Sequence, residues 1–560
     1  MRHKCCLRCN GLIKPMRLFG IFATLLFALS INTHAQIVVP SSFPTIYWGG
    51  IFTNTSAWPS GNPNTPPLTI MNSLRVTGGS SWIYVELQRG GAITNTSYWN
   101  WSAIDLFSGV GAHDLLYTFL NVPTWANGGG ARGIPPTDIN TSATCQTPLA
   151  GTVTTDCQFK EFVTGLMQHT CGVTSQPGSP LVGQCKIKNF ESWNEFNEDG
   201  YWHGTYSDLA KMAEDAAHIV RLYCGDCLFG AGSTSGGGKG YSPLNTTPYY
   251  DLALEAFLTS WKASTEPAPD FISWHPYPVR SKDAAGNPLT PVPFPETNVS
   301  GDGLGTGGDY GDASCTTANT GSETANIYCG DSIDKQSSTI VGLTQTATYG
   351  VSGKPVWATE GGYGETADLQ NSDNNDSNVL PSPCAHAPCV QDQLRGGYVA
   401  RWLVDIKWRG VQRAYYYSWD DPCWGAEYLE DNYSGGTQVP THSCTYLGHT
   451  ETSSTGYLNQ SGQAWESVQA WLNGATRPIC TTTSAGTGYI YTCTLTRTSP
   501  SNYHAVIVWY TGWLGTTSFT PSPPTGEHYT QYRNLWGTET SYSSGSITIN
   551  HDPIIFEGTT

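Results

Sequence analysis

Two glutamates, each at the end of a short candidate strand, are the residues of this chain whose positions best suit chemistry. Glu195 ends the sequence Trp193-Asn194-Glu195, and Glu360 follows the run 355–359. A carboxyl group beside an amide and an indole suits a sugar, because the carboxyl can protonate a glycosidic oxygen while the indole stacks on a pyranose face. Glycosidic hydrolysis needs two carboxyl groups flanking the bond. One glutamate after a strand is more often solvated or salt-bridged, but two beside aromatic residues predict a shared cleft.

A third segment supplies an imidazole and a phenol for the same cleft. His275 and Tyr277 follow the apolar run 271–274. Tyr277 can hydrogen-bond Glu360 and keep it ionised, and His275 can bond either carboxylate or a substrate hydroxyl. The alternative interpretation is that both residues cap a strand end without touching substrate.

Aromatic side chains complete the predicted cleft. Trp419 comes at the end of the run 413–418, where an indole can form a platform for a sugar ring, and Trp202 follows the Glu195 segment. Aromatic residues in such runs more often belong to a hydrophobic core. The predicted binding role therefore depends on the position of each ring beyond the end of its strand.

The segments that must position these residues alternate between strand and helix patterns. Short β-rich runs predict strands at 46–51, 82–87, 115–120, 187–193, 228–231, 271–274, 355–359 and 413–418. Helical spacing of apolar residues, clearest at 207–223, also predicts helices at 159–169, 250–262, 339–349, 394–407 and 464–472. Eight strands, most of them followed by a helix, predict an α/β fold of the (β/α)₈ TIM-barrel type. Barrel enzymes carry their sites on the loops after the strands, where both glutamates lie.

The pattern changes after residue 474. Short runs at 489–495, 505–509, 531–535 and 546–549, most of them rich in Thr, Tyr, Val or Ile, predict an antiparallel β-sandwich module. We therefore predict a leader at 1–35, a catalytic barrel at 36–474 and a C-terminal sandwich-like accessory module at 475–560. The module either binds sugar, through Tyr510, Trp513 or Trp536, or braces the barrel by packing, which is the interpretation we favour.

The N-terminal residues have the features of a secretory signal peptide. An apolar run at 18–29 follows Lys14 and Arg17, and residues 33–35 form a small-residue cleavage site. Removal of residues 1–35 leaves 22 basic and 44 acidic side chains, a net charge of about −22. This charge repels nucleic acid and anionic lipid and is compatible with a neutral polymer. We expect a secreted, extracellular or periplasmic protein with no membrane association after cleavage.

The cysteines agree with export to an oxidising compartment. Of the 17 cysteines, three belong to the leader, and the others fall into close pairs: Cys145/Cys157, Cys171/Cys185, Cys224/Cys227, Cys315/Cys329, Cys384/Cys389, Cys423/Cys444 and Cys480/Cys493. Sequential disulfides are the simplest prediction. The alternatives are zinc held by Cys224 and Cys227 with another pair, and calcium held by the acids of 301–312, whose spacing does not fit an EF-hand. We predict neither a metal nor a cofactor.

The motifs resemble clan A of the glycoside hydrolases, most closely glycoside hydrolase family 39, which includes β-xylosidases. The likeness is carried by Glu191 to Asn197 with Tyr201-Trp202, by His275-Pro276-Tyr277 and by Ala358-Thr359-Glu360. It implies a barrel enzyme that retains anomeric configuration. By motif, Glu195 is the expected acid/base, Glu360 the nucleophile, and Asn194 the residue that binds the 2-hydroxyl of the reacting sugar.

Three positions depart from the family pattern. Phe196 stands where the family has proline, and Gly361-Gly362 continues the Glu360 motif differently. The clan's arginine after strand two has only Arg89 as a counterpart, a little late after the predicted strand. These departures concern the surroundings of the two glutamates and leave the glutamates themselves in place.

The implied reaction is double displacement on a β-glycosidic bond of a polysaccharide or oligosaccharide. Glu195 first gives a proton to the leaving oxygen while Glu360 attacks the anomeric carbon, and Glu195 then acts as base towards water. Two other functions stay open. A secreted carbohydrate-binding protein on a barrel scaffold would have no use for two carboxylates, and a transglycosylase would use the same residues and differ only in its products.

Overall fold

The computed structural model of the protein describes residues 48–51, 73–77, 101, 104–105, 114–131, 133–145, 153–198, 200–235, 250–277, 296, 332–362, 364–365, 389–390, 392–417, 430–434, 437–439, 456–458, 460–486, 488–497, 503–512 and 515–559. Along the chain, a parallel barrel is followed by an antiparallel β module.

Eight parallel strands form a closed barrel. In chain order they are β1 Trp48–Ile51, β2 Ser73–Thr77, β3 Asp114–Thr118, β4 Asn189–Glu191, β5 Leu228–Ser235, β6 Phe271–His275, β7 Val356–Ala358 and β8 Arg413–Tyr416. Each strand pairs with the next, and β1 pairs with both β2 and β8, so the sheet closes on itself. The predicted barrel is confirmed, and its strands all end at the same mouth.

Helices follow the strands from β3 onwards. Among the described residues they are α1 Cys157–Cys171, α2 Tyr206–Tyr223, α3 Tyr250–Lys262, α4 Ile333–Leu343, α5 Asp392–Arg409 and α6 Gln460–Leu472. In α2, Leu209, Met212 and Ala216 are buried at helical spacing, as the sequence predicted. The helix begins where the Thr205 side chain accepts a 3.0 Å hydrogen bond from the Asp208 N–H.

Two element predictions need correction. The barrel position of strand two is held by β2, which pairs with β1 and β3, and not by 82–87, which lies outside the described residues. Only Leu74 and Val76 of β2 are strongly apolar, so hydrophobicity favoured the wrong segment. Arg89 was placed from that segment and also lies outside the described residues. Helix α4 begins six residues earlier than predicted, where Ser332 caps it by accepting a hydrogen bond from the Lys335 N–H.

Buried aromatic rings fill part of the barrel interior. Phe271 and Trp357 stack with their centroids 3.6 Å apart, and the Arg413 guanidinium lies 4.0 Å from the Trp357 ring centroid. Leu116 and Tyr415 join the same cluster. This packing joins β3, β6, β7 and β8. Because the cluster fills this layer of the barrel interior, the polar side chains of a site must lie in another layer.

The C-terminal module is antiparallel. Its strands are β9 Ile479–Ala485, β10 Gly488–Thr496, β11 Tyr503–Tyr510, β12 Thr517–Phe519, β13 Tyr529–Arg533, β14 Glu539–Ser541, β15 Ile547–Ile549 and β16 Ile554–Thr559. Six form one sheet in the order β9-β10-β11-β16-β13-β14, and β12 pairs with β15. Phe519 and Ile547 of the small sheet pack on a core that includes Phe556, so the all-β prediction is confirmed.

The aromatic candidates in this module have different environments. Tyr510 is buried, and its hydroxyl donates to the Ala485 carbonyl, so it belongs to the core and not to a sugar site. Trp536 is 38% exposed. Trp513 lies outside the described residues.

Short paired strands lie in the segments that connect the barrel elements. Ala143–Thr144 pairs with Val153–Thr154, Gly364–Glu365 pairs with Cys389–Val390, and Glu430–Ser434 pairs with Thr437–Val439 and Gly456–Leu458.

Within the described ranges, no helix is both long and apolar enough to cross a membrane.

Disulfides form between sequential cysteines, as predicted. Four of the predicted pairs are bonded, namely Cys145–Cys157, Cys171–Cys185, Cys224–Cys227 and Cys480–Cys493. Each of the other three pairs has at least one cysteine outside the described residues, and the 301–312 segment also lies outside them. The zinc alternative is wrong, because Cys224 and Cys227 bond to each other. Cys185, which lies close to them, is bonded to Cys171.

Candidate active site

Glu195 is held in a left-handed backbone conformation just after β4. Its φ is 42°, a region that residues other than Gly, Asn and Asp seldom adopt. Its N–H donates a 2.6 Å hydrogen bond to the carbonyl oxygen of Ser233, a residue with a φ of 79°. Two residues in rarely populated conformations thus hold each other across neighbouring strands, a form of backbone strain that clusters at functional sites.

A β-bulge in β5 places Ser233 beside this loop. The register between β5 and β6 shifts between Gly232 and Thr234, so Ser233 is the extra residue. Gly232 has a φ of 133°, and a Cβ there would lie 2.0 Å from the Ser273 carbonyl oxygen, so the close strand contact requires glycine. Bulges re-aim side chains next to active sites, and this one directs the Ser233 hydroxyl at His275.

The two predicted glutamates meet at His275. Its Nδ1 lies 2.9 Å from Oε1 of Glu195 and 3.7 Å from Oε2 of Glu360. One atom from each of the three side chains can be chosen so that all lie within 4.8 Å of one another. His275 is fully buried, whereas the two carboxyl groups are each 13% exposed. Two carboxylates and an imidazole are also a donor set that divalent cations accept.

Tyr277 distinguishes the two carboxyl groups. Its hydroxyl donates a 2.6 Å hydrogen bond to Oε1 of Glu360. Burial, and then the charges of Glu360 and Glu195, hold the pKa of Tyr277 well above its ordinary value, so the phenol keeps the proton that it donates. The Tyr277 carbonyl in turn accepts from the Gln336 side chain of α4, which fixes this loop. Glu360 therefore receives a donor that favours its ionised form.

A buried carboxyl group that sequence reasoning did not single out lies beneath the pair. Glu191, the last residue of β4, accepts hydrogen bonds from Thr118 at 2.7 Å and from Thr359 at 2.5 Å. In the barrel order β4 and β7 are separated by two strands, so Glu191 reaches across the interior to the residue that precedes Glu360. Its signal in the sequence was a carboxylate at the end of an apolar strand, where a buried charge needs partners.

The glycines after Glu360 have a packing reason. A Cβ on Gly361 would lie 2.8 Å from the Trp402 ring, and one on Gly362 would lie 2.8 Å from the Tyr417 carbonyl oxygen. Their φ values are 159° and 151°. The chain here passes too close to α5 and β8 for any side chain, so this departure from the family pattern belongs to the local packing.

Phe196, the other departure, is an anchor. It is 1% exposed, and its ring packs 5.1 Å from Phe257 of α3 and 5.8 Å from Tyr206 of α2, measured between centroids. An aromatic ring in place of proline therefore fastens the Glu195 loop to two helices.

Of the remaining predicted site residues, two are described and buried, and two lie outside the described residues. Asn194 is 5% exposed and directly precedes Glu195. Trp202 is also only 5% exposed, lies edge-on to Trp193, and donates from Nε1 to the Thr205 carbonyl. A ring so covered offers no open face to a sugar, so its predicted stacking role is not supported by its position. Trp419 and Arg89 lie outside the described residues.

Comparison with known proteins gives distant structural likeness only. No protein-family model matches this chain, and no curated protein matches it. A glucosidase from Croceicoccus marinus is 13% identical, with 93% of this chain and 97% of that chain covered, at a TM-score of 0.46. A family 44 xyloglucanase from Paenibacillus polymyxa is 11% identical over 93% and 97%, at 0.45. A family 5 glycoside hydrolase from Bacteroides vulgatus is 9% identical over 92% and 89%, at 0.45. At these TM-scores the likeness carries no argument, and the fold rests on the strand order itself.

Proposed function

We propose that the protein is a secreted, retaining glycoside hydrolase that cleaves β-glycosidic bonds of a polysaccharide or oligosaccharide. The observation that carries the proposal is the close approach of Glu195 and Glu360 at the mouth of a parallel barrel, each with its own hydrogen-bond partner. Carboxyl groups about 5–5.5 Å apart are typical of retaining enzymes, whereas inverting enzymes need roughly 6.5–9.5 Å. One oxygen of Glu195 lies within 4.8 Å of one oxygen of Glu360, and this close approach favours the retaining geometry.

In the first step, Glu360 attacks the anomeric carbon as Glu195 gives its proton to the glycosidic oxygen. The bond from that carbon to the leaving oxygen breaks, and a covalent glycosyl ester forms on Glu360. Tyr277 donates to Glu360 Oε1 and so favours the carboxylate that attacks.

In the second step, Glu195 accepts a proton from water, and that water attacks the anomeric carbon from the side that the leaving group vacated. The ester bond to Glu360 breaks, and the sugar leaves with its original configuration. His275, which contacts both carboxyl groups, is placed to stabilise each charge as it appears. Asn194 is proposed to hold the 2-hydroxyl of the reacting sugar.

We further propose that the chain belongs to clan A of the glycoside hydrolases, in or near family 39. Support comes from the barrel, from a Glu after β4 preceded by Asn, and from a second Glu after β7.

The proposed domain organisation is a leader at 1–35, a catalytic barrel at 36–474 and an accessory module at 475–560. Secretion is supported by the disulfides, which persist in oxidising compartments. Mass measurement of the exported protein should find its N-terminus at Gln36. Retention of the leader would contradict the proposed export.

The first test is a panel of plant, algal and microbial glycans, with products separated by size and the configuration of the new anomeric centre read by proton NMR. We expect hydrolysis with the β anomer formed first. Formation of the α anomer first would overturn the retaining mechanism. A chelator should leave the rate unchanged, since no step uses a metal.

The second test assigns the two carboxyl groups. Glu360→Gln and Glu195→Gln should each lower kcat on the glycan that wild type cleaves by at least about a thousandfold, because each removes a covalent or proton-transfer role. Glu466→Gln on the exposed face of α6 is the matched control and should behave as wild type. Near-normal rates in either site variant would refute the role given to that residue.

Two alternatives are separated by the same assays. Binding without turnover on the whole panel would support a carbohydrate-binding protein and contradict hydrolysis. Products longer than the substrate, formed at the expense of hydrolysis, would identify a transglycosylase that uses the same glutamates.

A further inference from the structure

We propose that Ser233 is a positioning residue for the acid/base, acting through His275. By donating a hydrogen bond to Nε2 of His275, Ser233 holds the imidazole in the tautomer whose Nδ1–H points at Glu195 Oε1, and so leaves the catalytic proton on Oε2 of Glu195. The inference rests on the proposed function, because it concerns the residue that is the acid/base there.

The contacts form a chain of three side chains. Ser233 Oγ lies 2.7 Å from Nε2 of His275, and Nδ1 of the same ring lies 2.9 Å from Oε1 of Glu195. Ser233 and His275 are fully buried, so water does not compete for the ring nitrogens. Ser233 lies in the β-bulge, and its carbonyl oxygen also accepts a hydrogen bond from the Glu195 N–H. The same residue therefore positions both His275 and Glu195.

The surroundings of Nδ1 decide where the imidazole proton lies. Glu195 Oε1 is 2.9 Å away, and Glu360 Oε2 is 3.7 Å away. A lone pair on Nδ1 would face two carboxyl oxygens, so Nδ1 carries the hydrogen. A neutral ring then has its lone pair on Nε2, and the Ser233 hydroxyl is the donor that satisfies it.

This tautomer assigns separate tasks to the two oxygens of Glu195. Oε1 accepts from His275, so in the resting enzyme the carboxylic proton lies on Oε2, where it can pass to the glycosidic oxygen as the bond to the anomeric carbon breaks. When Glu195 is ionised in the second step, the Nδ1–H donor stabilises its charge. In the opposite tautomer Nδ1 carries a lone pair. The protonated Glu195 would then donate its carboxylic O–H to Nδ1, and this hydrogen bond would hold the proton away from the substrate.

The variants Ser233→Ala and Ser233→Gly test the role kinetically. Both remove the hydroxyl, but glycine relieves the strain of a φ of 79° and alanine does not. We expect both to lower kcat/KM for the phenyl glycoside of the released sugar by about 10–100-fold, because that leaving group needs the proton. The dinitrophenyl glycoside, whose leaving group needs none, should lose less than about threefold in kcat/KM.

Ser273→Ala is the matched control, since it also removes a buried hydroxyl, from the neighbouring strand β6, where the hydroxyl makes no hydrogen bond. It should leave both rates unchanged. Equal losses on the two glycosides in the Ser233 variants would overturn the proposal, as would a loss in the alanine variant that glycine restores, because that would indicate a purely structural role.

A spectroscopic test does not depend on activity. In protein labelled with ¹⁵N-histidine, the His275 signals, identified by their loss in His275→Gln, should show a protonated Nδ1 and an unprotonated Nε2 in wild type. Ser233→Ala should change this pattern, and Ser273→Ala should not. A ring protonated at both nitrogens, or only at Nε2, would overturn the proposal. The predicted tautomer in a protein that cleaves no glycan would contradict the proposed function alone.

Discussion

Two chemically identical carboxyl groups are made different by their neighbours. Glu360 receives the hydroxyl of Tyr277, whose raised pKa keeps it a donor, and Glu195 receives the imidazole of His275. His275 does not contact both groups equally, because its Nδ1 lies 2.9 Å from Glu195 and 3.7 Å from Glu360. When two carboxyl groups in one site have different environments, their pKa values differ, and one can serve as the acid while the other serves as the nucleophile.

Removal of the Tyr277 hydroxyl tests this asymmetry. Tyr277→Phe should lower kcat/KM by roughly 10–100-fold, because a hydrogen bond to a charged group contributes about 1.5–3 kcal/mol. The measurement is steady-state kinetics on the glycan that wild type cleaves. Tyr223→Phe is the control, since that hydroxyl accepts from Gln168 in the helix layer, away from the site. An unaffected Tyr277→Phe enzyme would contradict the role of the phenol in holding the nucleophile.

At the scale of elements, the start of α1 carries a destabilising group. Asp156 occupies the N-cap position with a φ of 58° and makes no capping hydrogen bond. It is fully buried, and neither carboxyl oxygen has a hydrogen-bond partner. Burial, and then Asp215 and Asp138, raise the pKa of Asp156 well above its ordinary value, against the opposing charges of Lys160 and Lys211.

The sign of the pH effect follows from that direction. A group whose pKa is raised in the folded state favours folding at pH below its unfolded pKa, and this contribution is lost as pH rises through the folded pKa. Asp156→Asn should therefore raise Tm by a few degrees at pH 8, with a smaller gain at pH 4. Asn also tolerates the left-handed conformation. Thermal unfolding followed by circular dichroism at both pH values measures the difference.

Asp226→Asn is the matched control with the opposite sign. The hydrogen bond from Lys188 lowers the pKa of Asp226, so its carboxylate contributes stability above its unfolded pKa that is lost as pH falls. This variant should be no more stable than wild type at pH 8. If both substitutions stabilise equally, the explanation from burial of Asp156 is wrong.

At the scale of the whole molecule, one buried carboxylate joins the barrel to the C-terminal module. Glu296, from the loop after β6, accepts two hydrogen bonds from Arg401 of α5 and one, at 2.7 Å, from the Trp509 indole of β11. The Arg477 side chain donates to the Trp408 carbonyl of α5 near the same boundary. Separation would leave the buried Glu296 carboxylate without its indole donor, and a hydrogen bond lost from a buried charge is costly, so barrel and module should not separate freely.

The full chain should therefore unfold in one calorimetric transition. Trp509→Phe removes the indole donor together with part of a buried ring, and it should lower the Tm of that single transition, since a hydrogen bond to a charged group contributes about 1.5–3 kcal/mol. Trp536→Phe, at an exposed position of the module, should leave it unchanged. Two separate transitions, with Trp509→Phe shifting only one, would instead indicate an independent accessory module.

Much of this protein follows from its sequence alone, because the determining signals are local. Short β-rich runs and helical spacing predicted seven of the eight barrel strands and most helices, and close cysteine spacing predicted the disulfides that the structure describes. Glu195 and Glu360 could be paired from sequence because parallel strands of a barrel end at one mouth. The sequence did not predict strand β2, because this segment is a strand through its pairing with β1 and β3 and not through its hydrophobicity.

Only the tertiary structure decided what surrounds the two glutamates. Ser233 enters the site through a bulge, Glu191 reaches across the barrel to Thr359, and Trp202 turns inwards onto Trp193. The first two depend on contacts between segments far apart in the chain, where a shift of one residue reverses the direction of a side chain. Residue types and spacing therefore indicate the chemistry, whereas strand register and packing determine which donors stand beside each carboxyl group.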